Sequence, residues 1–430
     1  MRVLLSAFAC APGQGSEEGI GWNWAVELAR LGHEVVVLTD SQHQALIETR
    51  LAQGDLPPTL DFAFFMPAAL DRFRHWWART VSQSLSDHLT HLAWQLLVLG
   101  HVRRRFAGQR FDLVHHITYG GIRHPSLLGR LPWPFVLGPV GGGERAPMAL
   151  RRGMPWRGWI KDLARDAHTF LIRFDPITRR ACADAQVIYV KTEQSRDALP
   201  RRYHHKIGVQ LEVGIADRAW QAKPPRPEGE PLRLLYAGRF VYWKGMQLGL
   251  EGLAAFLERG GKARLTMLGR GPDEAAWREA ADELKIAHAL DWQAWVEHER
   301  MGDLYRAHDA LLFPSLHDSS GNAVLEALAH GLPVICLDLG GPAVMVDSSC
   351  GRVVSTAERS REACVRGITA AIGELAASPE LCRQLSEGAI ARAKRYRWPD
   401  QVGRLYADIA RRLPATEDLQ ASATSSTMPS

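Results

Sequence analysis

The chain has 430 residues, 46% of them hydrophobic and 23% charged, which is typical of a globular protein with two or three domains. This composition excludes a disordered, collagenous or coiled-coil chain, and a net charge of only +5 argues against nucleic acid as a partner. The six cysteines are scattered without a CxxC pair, which argues against a disulfide scaffold or a zinc site and favours a reducing cytosol.

The first segment, MRVLLSAFAC, becomes polar and glycine-rich by Gly13, so we interpret it as a strand rather than a signal peptide. Short apolar runs then alternate with helical patterns, which predicts parallel strands joined by crossover helices. The expected strands of this half are Val3–Ala9, Glu34–Thr39, Asp112–Ile117, Phe135–Leu137 and Gln186–Val190. No apolar run reaches the ~18 residues that span a bilayer.

Near Ala222 the composition changes, because QAKPPRPEGEPLR contains four prolines and one glycine and so predicts an exposed linker. The alternation then restarts, with strands expected at Arg233–Ala237, Arg264–Leu268, Ala310–Phe313 and Pro333–Asp338, and helices at Met246–Glu258, Asp273–Leu284 and Asn322–His330. We therefore predict an α/β fold of two Rossmann-like, doubly wound domains that face each other across a cleft. The expected bounds are 1–215 and 216–397, with a helix at 398–413 packing back on the first domain and a disordered tail at 414–430.

Two glycine-containing loops follow strands and suit anions. The segment PGQGSEEGIG precedes a helix, so free amides and the helix dipole favour an anion or a polar sugar near Gly15. Its spacing is not GxGxxG, which argues against a dinucleotide site. In the second half, YAGRFVYWKGM places Arg239 and Lys244 on one short loop, a pair that suits a diphosphate gaining charge as a leaving group. Taken alone, that pair is better explained as two solvated surface cations.

A third segment, LFPSLHDSSGNAVLEALAHGLPV, joins a strand to a helix. The amides of Ser319–Asn322 lie at the helix N-terminus, which again favours an anion. The carboxylates of Asp318 and Glu326 near such a site are unfavourable unless they bind hydroxyls, which a ribose and a hexose would supply.

The segments Gly238–Gly245 and Ser315–Pro333 resemble the retaining GT-B glycosyltransferases of group 1 (family 4), whose pattern is GR-x4-KG followed by E-x7-E. The segment LGRGPDE at Leu268–Glu274 is similar to the glycine turn of that family. The opening glycine loop and VGGGE at Val140–Glu144 resemble the members that act in polysaccharide assembly.

The resemblance implies roles residue by residue. Arg239 and Lys244 match the pair that holds the donor pyrophosphate, and Glu326 matches the carboxylate that binds the nucleotide ribose. Asp318 stands where the family has its first Glu, which touches the donor sugar. The implied contacts of the nucleotide sugar are Gly15, Gly269, Trp295, Val296, Ser319, Ser320, Gly321, Asn322, Ala323, Val324 and Glu326. The UDP- or GDP-linked donor is a substrate, and neither a cofactor nor a metal is expected.

The chain departs from the family pattern in two places. Asp318 is one methylene shorter than the usual Glu, which leaves its sugar preference open, and Ser320 replaces the usual aromatic. Many relatives carry a His near the donor sugar, whereas the corresponding place here is LGPVGGGE. His115 and His116 are the substitute candidates, because one of two alternating side chains at a strand end should face the cleft, and Glu144 is a further candidate.

Aromatic and basic residues concentrate in two parts of the first half. Six of the 14 tryptophans lie between Trp76 and Trp159, in segments that also carry many arginines. Such helices suit an anionic membrane interface, although amphipathic core helices with a basic outer face explain them nearly as well. We expect a cytoplasmic protein, peripheral at the inner face of the plasma membrane, with a lipid-linked or oligosaccharide acceptor.

The predicted function is therefore transfer of a hexose, with retention, from a nucleotide-diphosphate sugar to a glycan or polyprenyl-diphosphate-linked oligosaccharide in bacterial surface polysaccharide biosynthesis. Two alternatives stay open: a non-catalytic nucleotide-sugar-binding partner subunit and a GT-B-like nucleotide-sugar epimerase. A phosphorylase is disfavoured because the sequence contains no recognisable lysine site for pyridoxal phosphate.

Overall fold

The computed structural model describes residues 1–80, 83–151, 155–217, 220–297 and 300–413, and for 83–85 it describes the backbone alone. The tail predicted at 414–430 lies outside these residues. The described chain forms two lobes, each built on one parallel sheet, as the strand–helix alternation predicts.

The N-terminal lobe contains the strands β1 (Arg2–Ser6), β2 (Glu34–Thr39), β3 (Leu60–Phe64), β4 (Leu113–His116), β5 (Phe135–Val140), β6 (Val187–Val190) and β7 (Ile207–Val209). Their order in the sheet is β3-β2-β1-β4-β5-β6-β7. The helices are α1 (Ser16–Arg30), α2 (Gln44–Leu51), α3 (Ala68–Thr80), α4 (Gln83–Arg105), α5 (Trp156–Ile172), α6 (Pro176–Asp184) and α7 (Glu193–Ala198). Helices cover both faces, so central strands such as β1 are continuous apolar runs with no exposed side chain between Val3 and Leu5.

The C-terminal lobe contains the strands β8 (Leu232–Ala237), β9 (Ala263–Leu268), β10 (Leu290–Gln293), β11 (Ala310–Phe313), β12 (Val334–Leu337) and β13 (Gly351–Val354). Their order is β10-β9-β8-β11-β12-β13, so the chain reverses direction across the sheet between β8 and β11. The helices are α8 (Met246–Glu258), α9 (Glu274–Glu283), α10 (Met301–Ala307), α11 (Asn322–Ala329), α12 (Gly340–Met345), α13 (Arg361–Ala377) and α14 (Pro379–Lys394). Ligands of such sheets bind beyond the carboxyl ends of the strands at this reversal.

The last described helix, α15 (Trp398–Arg412), lies on the N-terminal lobe. The Oη atom of Tyr406 is 3.0 Å from Nδ1 of His115, and Tyr189 donates a hydrogen bond of 2.7 Å to Asp408. The chain thus crosses between the lobes twice, once near residue 215 and once before α15.

The predicted strands differ from the observed ones at the sheet edges. The sequence pattern does not indicate β3, β7, β10 or β13, and these four are the edge strands of the two sheets. An edge strand is covered less completely than a central one, so it needs no continuous apolar run. The first predicted strand, Val3–Ala9, ends earlier, at Ser6, because residues beyond it continue as a buried loop.

None of the helices in the described ranges combines the length and hydropathy that crossing a membrane requires.

Candidate active site

A cleft lies between the lobes, at the carboxyl ends of their central strands. Both lobes line a cavity of about 650 Å³, which includes Gly15 at the start of α1 and Glu326 of α11. Two further cavities adjoin it: one of about 350 Å³, also lined by both lobes, shares Asn322 with it, and one of about 770 Å³ in the C-terminal lobe shares Glu326. The three cavities therefore follow one another along the cleft.

The smaller cavity contains two of the predicted residues in direct contact. The Nζ atom of Lys244 lies 2.5 Å from Oδ2 of Asp318, and the same ammonium sits 4.8 Å from the centre of the Phe313 ring. The loop after β8 reaches this position by turning at Gly245, where φ is +66° and a Cβ would lie 2.1 Å from the carbonyl oxygen of Pro314. A side chain at this position is therefore excluded, and Gly245 brings Lys244 against the loop that carries Asp318.

Arg239 lines the larger cavity, next to the smaller one, since Gly238 borders both. Its side chain is exposed, whereas Lys244 is half-buried. The sequence leads us to expect that the two cations form one cluster. Instead, they flank a shared glycine and face adjacent cavities. A diphosphate lying across Gly238 would meet both charges.

The larger cavity is lined by glycine, aromatic, aliphatic and acidic residues. Gly269, Trp295 and Val296 line it together with Glu326, as the resemblance implies. At Gly269 φ is +140° and a Cβ would lie 2.0 Å from the carbonyl oxygen of Gly238, so this turn requires glycine. Trp295 is 72% exposed and so offers a free aromatic face to a planar base.

The loop before α11 and the first residues of that helix, Ser319–Ala323, border the smaller cavity. Gly321 begins the helix at φ +82°, and the Oδ1 atom of Asn322 is buried without a hydrogen-bond partner among the described residues. Val324 is an incorrect prediction. Its side chain is fully buried in the core and its amide already bonds to the carbonyl oxygen of Gly321 at 2.9 Å, so it presents no group to a ligand.

Glu326 lies inside α11 and is oriented by a neighbour that the sequence pattern does not indicate. The hydroxyl of Tyr305, on α10, donates a hydrogen bond of 2.9 Å to Oε2 of Glu326. Both side chains line the two cavities that meet at this point. The carboxylate is thus held at the junction of the two cavities.

His115 and His116 are wrong predictions, because neither side chain has any exposed surface. His115 donates from Nε2 to the carbonyl oxygen of Gly138 at 2.7 Å and accepts from the Tyr406 hydroxyl, and burial lowers its pKa to about 4. His116 lies on the other side of β4, 3.2 Å from Oγ of Ser6, and burial lowers its pKa to about 3. Both imidazoles are neutral core groups, because α15 covers one face of β4 and the N-terminal lobe's own helices cover the other.

Glu144 is also an internal group rather than a cleft residue. It is 1% exposed and accepts hydrogen bonds from Thr192, from Ser195 and from the amide of Gly142. These bonds join the turn after β5 to the start of α7, so the carboxylate stabilises the lobe.

Instead, the N-terminal lobe contributes a cluster of buried charges that the sequence analysis missed. Nζ of Lys191 lies 2.6 Å from Oε1 of Glu212, and both line the smaller cavity with Glu17. Burial raises the pKa of Glu17, and the nearby carboxylate of Glu212 adds to this, whereas Lys191 acts in the opposite direction. Burial by itself would lower the pKa of Lys191, but the carboxylates of Glu212 and Glu17 raise it above its ordinary value. Ser320 of the C-terminal lobe donates a hydrogen bond of 2.6 Å to Glu212. Lys191 directly follows the predicted strand Gln186–Val190, which is the signal that could have identified it.

Comparison with known proteins identifies the pattern in the C-terminal lobe. The family model described as Glycosyl transferases group 1 matches residues 217–392. The D-inositol 3-phosphate glycosyltransferase of Streptomyces griseus is 30% identical over 93% of this chain and 85% of that protein.

Solved structures share the architecture of both lobes. The lipopolysaccharide outer core galactosyltransferase WaaB superposes with a TM-score of 0.61 at 14% identity, over 96% of this chain and 100% of that one. The HepE protein of Anabaena, in complex with UDP and glucose, superposes with a TM-score of 0.55 at 13% identity, over 96% and 100% of the two chains. The predicted GT-B fold is thereby confirmed.

Proposed function

Because the chain belongs to the group 1 glycosyltransferases, which use nucleotide-sugar donors, we propose that it is a retaining hexosyltransferase of bacterial surface polysaccharide biosynthesis. The observation that carries this proposal is the contact between Lys244 and Asp318 in a cavity next to Arg239. In this proposal Lys244 binds phosphate and Asp318 binds sugar hydroxyls, so their contact supports a donor whose sugar and diphosphate are joined near this point.

The donor is proposed to lie along the three cavities. The base stacks on Trp295 beside Gly269, the ribose binds Glu326, and the diphosphate lies between Arg239 and Lys244. The sugar then reaches Asp318 and the amides before α11. On binding, Lys244 exchanges part of its contact with Asp318 for the phosphate, which frees the carboxylate for sugar hydroxyls.

Retention follows from transfer on one face of the sugar. The bond from C1 to the diphosphate oxygen breaks, the acceptor oxygen bonds to C1 on the same face, and the acceptor proton passes to the leaving phosphate oxygen. The two cations stabilise the charge that develops on that phosphate. This route needs no side-chain base, which agrees with the burial of His115, His116 and Glu144.

The acceptor is proposed to be lipid-linked, because helix α5 has an exposed apolar face. Six large side chains define this face: Trp156, Trp159, Ile160, Leu163, Phe170 and Leu171, with exposed fractions between 40% and 68%. They recur at helical spacing, and Phe174 directly beyond the helix is 58% exposed.

The charges of α5 favour an anionic lipid surface over a protein partner. The cations Arg157 and Lys161 are exposed beside the apolar face, whereas both acidic residues of the helix, Asp162 and Asp166, are buried on the opposite side. An anionic bilayer would accept the aromatic side chains and attract the cations together. The proposed location is the inner face of the plasma membrane.

The other aromatic segment contributes less than its composition predicts. Trp76 on α3 is 59% exposed, but Trp94 on α4 is fully buried. Arg74 pairs with Asp40 and Asp71 rather than facing solvent. Arg152 lies outside the described residues.

The test uses the purified protein with UDP-, GDP- and ADP-sugars. A donor that binds the native state raises its thermal midpoint, and NMR of the product linkage reports retention or inversion. Arg239→Ala and Lys244→Ala should each lower turnover about 100-fold with an unchanged melting temperature, because each removes a charge that stabilises the leaving group. Lys262→Ala, an exposed cation on the far side of the same sheet, is the matched control.

Three results would overturn parts of the proposal. Inversion at C1 excludes the retaining mechanism, and full turnover in both variants excludes the phosphate contacts. Donor binding without transfer to any acceptor favours the non-catalytic partner subunit, while conversion of the donor alone favours an epimerase.

A further inference from the structure

The inner face of α5 contacts the C-terminal lobe through a buried polar bridge. Nε2 of His317 donates to Oδ1 of Asp162 over 3.0 Å, and Arg165, one turn along α5, also contacts the His317 ring. Asp162 is 1% exposed and His317 is 7% exposed. The bridge therefore joins the two lobes in a largely buried place.

Asp162 is held as a carboxylate from its own lobe. Nε of Arg151 lies 3.3 Å from Oδ2 of Asp162, and Arg151 also donates to Asp166 and to the carbonyl oxygen of Ala146. Although burial opposes the charge, the hydrogen bond from His317 and the nearby Arg151 keep the pKa of Asp162 below its ordinary value. Arg151 keeps two partners if Asp162 is removed, so the lobe should survive the substitution.

His317 connects this bridge to both donor-binding loops. It directly precedes Asp318, and its ring stacks on Trp243, which directly precedes Lys244, with 5.8 Å between ring centres and 20° between planes. The amide of Leu316 donates to the carbonyl oxygen of Trp243 over 2.9 Å, so the two loops are joined directly. Gly158 of α5 adds a second contact, since a Cβ there would lie 2.9 Å from the ring of Tyr242.

We propose that Asp162 and His317 are positioning residues of the transfer reaction: through this bridge, α5 of one lobe holds the Lys244 and Asp318 loops of the other in their reactive arrangement. The bridge crosses from one lobe to the other, so the position of α5 and the alignment of the donor-site loops are coupled. The predicted effect on kcat rests on the proposed function, whereas the coupling between the lobes is independent of it. The residues act through Lys244 and Asp318 and do not touch the donor.

The experiment compares Asp162→Ala, His317→Ala and the double variant with Asp197→Asn, which removes one exposed carboxylate of the same lobe. Each single variant should lower kcat about tenfold or more, because sub-ångström misplacement of reacting groups is costly. The Kd of the nucleoside without its diphosphate should stay unchanged, since Trp295 and Glu326 lie outside the bridge. The double variant should be no slower than His317→Ala, because Asp162 acts on the opposite lobe through His317. Asp162→Asn, which keeps an acceptor for His317, should restore most of the rate.

Hydrogen–deuterium exchange gives a readout that is independent of activity. In Asp162→Ala, amides of 238–245 and 315–321 in the opposite lobe should exchange faster, whereas Asp197→Asn leaves them unchanged. Unaltered exchange in these loops overturns the inference, as does a wild-type kcat in the single variants or additive losses in the double variant. If the unsubstituted protein transfers no sugar, the proposed function fails, and the exchange experiment alone decides on the bridge.

Discussion

Removing the apolar face of α5 should detach the protein from anionic membranes without unfolding it. The perturbation is the triple variant Trp156→Ser, Leu163→Ser and Phe170→Ser, whose side chains are 68%, 45% and 50% exposed. Complete burial of such a side chain stabilises by about 1.5–3 kcal/mol, so burying the exposed fractions in lipid contributes about 3 kcal/mol for the three together. That loss corresponds to a roughly 100-fold lower partition coefficient.

The assay is co-sedimentation with vesicles of anionic or zwitterionic lipid, at low and physiological salt. Wild type should bind the anionic vesicles, and the triple variant should remain in the supernatant with an almost unchanged melting temperature, since these side chains contribute little to the core. Leu46→Ser, at a 41% exposed position on α2, controls for the loss of surface hydrophobicity elsewhere. Equal partitioning of the triple variant and wild type, or no binding of wild type to anionic vesicles, would refute the reasoning.

Two further predictions concern the nucleotide and the pH dependence of stability. Glu326→Gln should raise the KM for the donor about tenfold, because a hydrogen bond to a charged group contributes about 1.5–3 kcal/mol, and the difference should vanish with a donor lacking the ribose hydroxyls. Lys223 is 8% exposed, its nearest carboxylate oxygen on Asp309 is 3.9 Å away, and burial lowers its pKa from 10.5 to about 8. The folded state thus binds this proton less tightly than the unfolded chain. The loss of folding stability caused by the buried ammonium is therefore complete below pH 8 and disappears as the pH rises to 10.5. Lys223→Met should therefore raise the melting temperature at pH 7 by about 2–4 °C, an advantage over wild type that disappears by pH 10.5; an equal advantage at both pH values would contradict this reasoning.

The central strands of both sheets were predictable because burial on two faces demands continuous apolar residues. Two examples are the predicted strands Gln186–Val190 and Ala310–Phe313. The observed β6 lies within the first, and β11 coincides with the second. The edge strand β7 has three residues, none of them buried, so no local pattern distinguishes it from a loop.

The meeting of Lys244 and Asp318 in the cleft was predictable for a different reason. Lys244 directly precedes the turn at Gly245, and Asp318 lies in the loop before α11, so each follows a central strand within a short segment. The acceptor side has no such local signal. His115 was predicted to be near the cleft, but its side chain is covered by Tyr406, a residue 291 positions later in the chain.

The sequence by itself determined two parallel α/β halves, the positions of their central strands and the segments that carry the donor-site charges, because these depend on periodicity and on neighbours along the chain. Only the tertiary structure decided that α15 buries His115, that Lys191 and Glu212 line the cleft, and that α5 turns Asp162 toward His317 and its tryptophans outward. These outcomes depend on which elements pack together, and that choice is made by contacts between residues more than 100 positions apart.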